Sequence, residues 1–270
     1  MKYRFTVQVL VTAFALVAIF TSTTKAEQNN GGDVQFKRQP LVPSQNILSV
    51  QEIAQLVTVR VIGNPAVGSG VIIARQGQTY TVLTCDHVVA RSENNRFRIL
   101  TPDGLIHAAS WRRFARSRNA DLALVEFRSD RLYQLVEIGD SNALTVGASV
   151  YASGFPNWYR NNRRQLQNTR NWGLRAYRLT TGRVGMMLER ALQKGYQLGY
   201  TNNIEMGMSG GPVLDRYGQL VGINGRSKYP LLGIQAFKFE DGSIPSVRLF
   251  RQMETLSWAI PIANFTQMNR

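Results

Sequence analysis

Both histidines of the chain, His87 and His107, precede the hexapeptide Gly207-Met208-Ser209-Gly210-Gly211-Pro212, and that order narrows the folds available to it. The hexapeptide offers a serine nucleophile. A serine hydroxyl is barely nucleophilic at neutral pH; it needs an imidazole to take its proton and a buried carboxylate to hold that imidazole's tautomer. Taken alone, Gly207-Met208-Ser209-Gly210-Gly211 also satisfies the G-x-S-x-G elbow of α/β-hydrolases. That fold needs its catalytic histidine after the serine, and here none follows. What survives is the order His87, Asp121, Ser209, which belongs to a site built between two β-barrels rather than on a parallel sheet. Small residues flanking Ser209 permit a sharp turn in which the amides of Gly207 and Ser209 converge on a developing oxyanion, a turn that a bulky residue at 207 would block.

The N-terminus reads as a secretory signal. Met1-Lys2-Tyr3-Arg4 is basic, residues 5–20 are mostly apolar, and Thr24-Lys25-Ala26 offers a small-residue cleavage site. The apolar run falls short of the roughly 20 residues needed to cross a bilayer, so export is expected, to the periplasm or the medium. Removal of residues 1–26 leaves a length suited to one large β domain or a pair of small barrels. The single cysteine, Cys85, excludes an intramolecular disulfide framework and leaves stability to apolar cores. Net charge is +15; loss of Lys2, Arg4 and Lys25 with the signal leaves +12. Such a field attracts polyanions, anionic lipid surfaces or acidic substrate segments, although a charge balance serving solubility explains it equally well.

Residues 27–46 carry Asn, Gln, Gly and two prolines, the composition of a flexible lead-in. Residues 49–56 fit one or two helical turns, after which Val57, Val59 and Val61 alternate with Thr58, Arg60 and Ile62 as in a strand. Residues 71–74 and 80–84 flank a hairpin turn; 98–100 and 105–107 flank Thr101-Pro102-Asp103-Gly104; and Asp121 opens a strand over 122–127. A second set of strands covers 148–152, 178–185, 199–200, 212–214, 219–223 and 258–262. Helix is expected over 247–256 and in the tail after Pro261. Many short strands with turn residues between them describe an all-β barrel or sandwich.

Four segments, in order, carry a resemblance: Gly68-Ser69-Gly70-Val71-Ile72-Ile73 leading to Leu83-Thr84-Cys85-Asp86-His87-Val88-Val89; Asp121-Leu122-Ala123-Leu124; residues 139–147; and residues 207–212 running into Gly218-Gln219-Leu220-Val221-Gly222-Ile223-Asn224. Over residues 55–265 the chain resembles trypsin-like serine peptidases, and the bacterial high-temperature-requirement branch more than digestive trypsins. The resemblance implies two antiparallel six-stranded β-barrels, residues 47–135 and 136–270, with short helices near the C-terminus. It also implies an endopeptidase without metal or organic cofactor, in which His87 is general base and acid, Asp121 its orienter and Ser209 the nucleophile. Digestive enzymes have Asp where this chain has Met208, so activation through a freed N-terminus is not expected. Nor is a C-terminal peptide-binding domain, for which no residues remain.

By the same resemblance, Asn203 and Ile204 approach the base of the specificity pocket, and Ile223-Asn224-Gly225 forms a wall to which substrate backbone adds as a strand. The absence of an acid at 203 points to a neutral, apolar or small side chain at the cleavage site. Cys85, a rival nucleophile, has Asp86 beside it, which favours a buried, inert thiol. His107 reads as an ordinary strand residue. Residues 157–183 read as an insertion in which Arg160, Arg163, Arg164, Arg170, Arg175, Arg178 and Arg183 interleave with Trp158, Tyr159, Trp172 and Tyr177. Arginine among exposed aromatics suits polyanion or single-stranded nucleic-acid grooves, acidic substrate segments, or a loop that only solubilises. Two further functions stay open: a catalytically idle module that binds a polyanion through this insertion, and an esterase on the same barrels.

Overall fold

Alternating apolar residues close into two barrels. The computed structural model describes residues 48–90, 92, 95–112, 120–162 and 164–268; the expected signal and lead-in, and Arg163, lie outside them. The first barrel comprises β1 (Thr58–Ile62), β2 (Val67–Gln76), β3 (Thr79–Thr84), β4 (Arg96–Leu100), β5 (Ile106–Arg112) and β6 (Ala123–Arg128), hydrogen-bonded in the order β1-β2-β3-β6-β5-β4. The second comprises β7 (Ser149–Gly154), β10 (Arg178–Leu192), β11 (Tyr196–Tyr200), β12 (Pro212–Leu214), β13 (Leu220–Arg226) and β14 (Ser257–Pro261), in the order β7-β10-β11-β14-β13-β12. A separate hairpin, β8 (Trp158–Arg160) with β9 (Leu166–Asn168), stands between β7 and β10. Every pairing within the two barrels is antiparallel.

The chain enters through α1 (Val50–Val57), started by a reciprocal cap between Ser49 and Glu52. In β1 the alternation sends Val59 and Val61 into the barrel core. The opposite face is covered as well: Thr58 Oγ1 lies 2.7 Å from Ser153 Oγ of β7, and Arg60 donates to the Thr169 carbonyl at 2.8 Å. All five residues of β1 are therefore buried. One apolar cluster runs from Val59, Val71, Leu83 and Val125 to Tyr196, Ile223, Trp258 and Ile260, so the barrels share a core across their contact. Each large side chain buried there stabilises by roughly 1.5–3 kcal/mol, which is why the barrels dock without a disulfide.

Three features differ from the reading of the sequence. The strand expected over 178–185 extends to Leu192, and its far half, with half-exposed and charged positions such as Glu189 and Arg190, carries the hairpin to β11 toward the first barrel. The insertion ends at Tyr177, because Arg178 to Arg183 pair with β7 along the barrel wall. The insertion is also folded onto the protein. Arg170 donates to the carbonyls of Gly63 and Pro65, Arg175 stacks on Trp172, and Arg178 lies over Tyr159. Third, His87 lies on a one-turn helix, α2 (Asp86–Val89), that the strand pattern of the sequence did not include. The C-terminal helices are α3 (Val247–Met253), capped by Ser246, and α4 (Ile262–Met268).

Candidate active site

From Thr84 the chain leaves β3 and turns at once into α2. Cys85 caps that turn and is fully buried, its thiol donating to the Asn224 carbonyl at 3.0 Å. Burial pushes the thiol pKa well up, and the nearby charge of Asp121 adds to the effect, so Cys85 remains an unreactive thiol.

Asp121, just before β6 and 3% exposed, holds His87 at two points. Its Oδ1 accepts the His87 backbone N–H at 2.8 Å, and its Oδ2 faces His87 Nδ1 at 2.6 Å. The second barrel adds two contacts: the Tyr196 hydroxyl donates to Oδ2 at 2.5 Å, and the Asp121 N–H donates to the Lys194 carbonyl at 3.0 Å. Burial by itself would raise the carboxyl pKa. Hydrogen bonds and charge from His87, with the Tyr196 hydroxyl, outweigh burial and bring it down to about 2. An ionised carboxylate against Nδ1 keeps the proton on that nitrogen and leaves Nε2 as the acceptor.

Ser209 arrives from the second barrel on the loop before β12. Gly210 has φ +87°, and a Cβ there would lie 2.2 Å from both the Ser69 carbonyl and Thr84 Oγ1. Only glycine lets the loop press this closely on β2 and the end of β3. Ser69 of β2 grips the loop twice, donating its N–H to the Ser209 carbonyl and its hydroxyl to the Gly207 carbonyl, both at 2.8 Å. The same hydroxyl accepts the Phe155 N–H at 2.8 Å. Met208, Gly210 and Gly211 donate their amides to the carbonyls of Glu205, Asn224 and Met208. Among the described residues, the amides of Gly207 and Ser209 have no such acceptor. The Ser209 hydroxyl donates to the Gly225 carbonyl at 3.4 Å and makes no hydrogen bond to His87.

The residues expected at the specificity pocket divide. Asn203 is exposed, whereas Ile204 is buried in the second-barrel core. Ile223 points into the shared core, and the Asn224 amide donates to the carbonyls of Ser153 and Pro212. Their backbones pair with β12 and β14, or with Gly210 and Gly211, so Ile223 and Asn224 offer no free strand edge. On the β12 side the edge opens at Gly225, where the Ser209 hydroxyl is found. Met208 is fully buried among apolar residues and puts no charge behind the loop. His107 lies away from this site, with Nε2 2.8 Å from the Tyr133 hydroxyl.

Ligand atoms of Cys85, His87 and Asp121 lie within 4.8 Å of one another, a spacing a metal could use, but the thiol and carboxylate are spent on the hydrogen bonds above. Two contributors were not singled out from the sequence. Ser69 lay inside a segment read only as a mark of the fold. Tyr196 lay beside a Lys194-Gly195 turn, with nothing local to connect it to Asp121.

The sequence profile of the trypsin-like peptidase domain matches residues 68–223, more than half of the chain. The chain belongs to the trypsin-like peptidase family. Among its relatives is "Serine protease HTRA1" of Xenopus laevis, 30% identical over 169 residues, which are 59% of this chain and 31% of the relative. Another is "Probable periplasmic serine endoprotease DegP-like" of Buchnera aphidicola, 30% identical over 165 residues, 59% of this chain and 29% of the relative. "Serine protease HtrA-like" of Staphylococcus aureus is 26% identical over 161 residues, covering 58% and 20%. The chain thus spans less than a third of the length of these relatives.

Proposed function

We propose that the protein is a serine endopeptidase in which Ser209 attacks the scissile carbonyl, His87 moves the proton and Asp121 orients His87. The observation that carries this reading is the 2.6 Å contact between His87 Nδ1 and the buried Asp121 carboxylate, placed where the Ser209 loop of the other barrel is pressed against Thr84 and Ser69. Substrate adds its backbone at the edge that opens at Gly225. A substrate N–H taking the Gly225 carbonyl releases the Ser209 hydroxyl toward His87 Nε2. The tetrahedral oxyanion forms where the Gly207 and Ser209 amides have no protein acceptor, and such donors contribute about 3 kcal/mol each to barrier lowering. His87 then hands its proton to the leaving amine.

Export rests on the basic and apolar pattern of residues 1–26 and on the name of the Buchnera relative, "Probable periplasmic serine endoprotease DegP-like". No described helix is long and apolar enough to cross a membrane. Capture of acidic segments by the insertion draws little support, because Arg170 and Arg175 are engaged within the fold. The decisive test is labelling by a fluorophosphonate together with cleavage of a denatured protein, in wild type and Ser209→Ala. Labelling and cleavage that both vanish in Ser209→Ala support the reading. A wild type that neither labels nor cleaves would return the chain to the class of idle, binding-only modules.

A further inference from the structure

We infer that Tyr196 is a positioning residue for the His87–Asp121 pair, supplied to the first barrel by the second. The inference rests on the triad reading above. Tyr196 opens β11 just after the β10–β11 turn, and its hydroxyl donates to the oxygen of Asp121 that faces His87 Nδ1. At 3% exposure that carboxylate has little access to water, so its lone pairs depend on protein donors. Without the phenol, one lone-pair site of Oδ2 would be left unpaired in the interior. Burial pushes the Tyr196 pKa well up, which keeps the phenol an O–H donor throughout the range in which a peptidase works.

The surroundings are built around this hydroxyl. The Arg226 guanidinium lies 4.2 Å from the Tyr196 ring centroid and is itself anchored on the carbonyls of Ala236 and Gln193. At Gly225, the residue whose carbonyl receives Ser209, a Cβ would fall 2.1 Å from the Tyr196 hydroxyl oxygen. Gly225 therefore lacks a side chain where the phenol passes. The Lys194 carbonyl, two residues before Tyr196, takes the Asp121 N–H and sets the approach of the turn. The titratable or charged groups around Asp121 are His87, Tyr196, the Cys85 thiol and Arg226, with Asp86 beside Cys85.

By sharing Oδ2 with the imidazole, the phenol fixes the direction in which Nδ1–H must point. It also stabilises the unprotonated form of the pair. Tyr196→Phe keeps the ring against Arg226 and removes only the hydroxyl. Its kcat should fall about tenfold or more, the range of a lost hydrogen bond to a charged group, with KM for a peptide unchanged. The acid limb of kcat/KM should move to higher pH, because the pair then holds a proton more tightly; a residue that only filled space would not move it. A folded Tyr196→Phe with wild-type kcat and an unmoved acid limb overturns the inference while leaving the triad intact. Loss of labelling and cleavage in the wild type itself would instead remove the triad, and this inference with it. Should the Phe variant fail to fold, proton NMR of the wild type decides: a slowly exchanging Tyr196 hydroxyl proton with a cross-peak to His87 Nδ1–H supports the assignment, and its absence refutes it.

Discussion

Asp121→Asn separates the orienting role of Asp121 from simple occupancy, because an amide has the shape of a carboxylate but cannot accept at both ends. Three donors meet Asp121: the His87 backbone N–H at Oδ1, and His87 Nδ1 and the Tyr196 hydroxyl at Oδ2. The backbone N–H cannot reverse, so the Asn carbonyl takes the Oδ1 position and the NH2 group takes that of Oδ2. The Tyr196 hydroxyl can rotate away. The imidazole meets the new donor only by presenting a bare Nδ1, which puts its proton on Nε2 and leaves nothing to accept from Ser209. The expected fall in kcat is about 10³–10⁴-fold, with a stability loss of about 1–3 kcal/mol from the exchanged hydrogen bonds. Steady-state kinetics on a fluorogenic peptide, with urea denaturation of the same preparation, measures both. A folded variant within tenfold of wild-type kcat would show that Asp121 does not set the tautomer.

The carboxyl of Asp121 titrates near 2 in the folded chain against 3.8 ordinarily, so the unfolded chain binds its proton more tightly. Its contribution, roughly 2 kcal/mol, is complete above about pH 4 and is lost as pH falls through 2. In urea unfolding the gap between wild type and Asp121→Asn should narrow by about 1.5 kcal/mol from pH 6 to pH 2.5, the remainder going only as pH falls through 2, and a constant gap would contradict the assignment. Gly210→Ala forces a Cβ onto the Ser69 carbonyl and Thr84 Oγ1 at φ +87°; a loss of about 3 kcal/mol or more is expected, and an unchanged melting temperature would show that the loop is not held as described. Ser69→Ala leaves the Gly207 carbonyl and the Phe155 N–H unpaired. A cost of about 1–3 kcal/mol is expected with a lower kcat at constant KM, checked by kinetics and denaturation, and an unaltered kcat would dissociate Ser69 from the oxyanion loop.

Much of the fold was legible because half-buried strands write their period into the sequence. Val59 and Val61 alternate with Arg60, and Leu122 to Phe127 follow Asp121, so most strands lie where alternation puts them. What escaped was governed by partners far along the chain. Arg60 is polar in the sequence and buried in the fold, since Thr169 of the insertion covers it. The outer half of β10 shows weak alternation because a run of partly buried residues, Gly185 to Leu188, is followed by two exposed neighbours, Glu189 and Arg190. At the site, His87, Asp121 and Ser209 carry recognisable local contexts. Ile223 and Asn224 share the segment that leads to Gly225, yet core packing and ladder bonds use up their side chains and backbones. Tyr196 has no local signature, because its role exists only where the two barrels touch.

That contact also holds the Ser209 loop in place without a charge at position 208. In a chain with Met208 buried among apolar residues, the loop before β12 has no internal ion pair to hold it, and the neighbouring barrel holds it instead. Ser69 of the first barrel fixes the carbonyls of Gly207 and Ser209, while Lys194 and Tyr196 of the second fix the backbone and carboxylate of Asp121. Each barrel thus secures a residue of the proposed triad that the other carries. The Cys85 thiol on the Asn224 carbonyl adds a further tie between α2 and β13. Because these bonds cross the seam, any opening of the barrel contact releases Ser209 and Asp121 together, even if both barrels keep their own strands paired. Activity should therefore be lost at lower denaturant than strand structure. Coincident loss of activity and far-ultraviolet circular dichroism would instead mean that the barrels and their seam unfold as one unit.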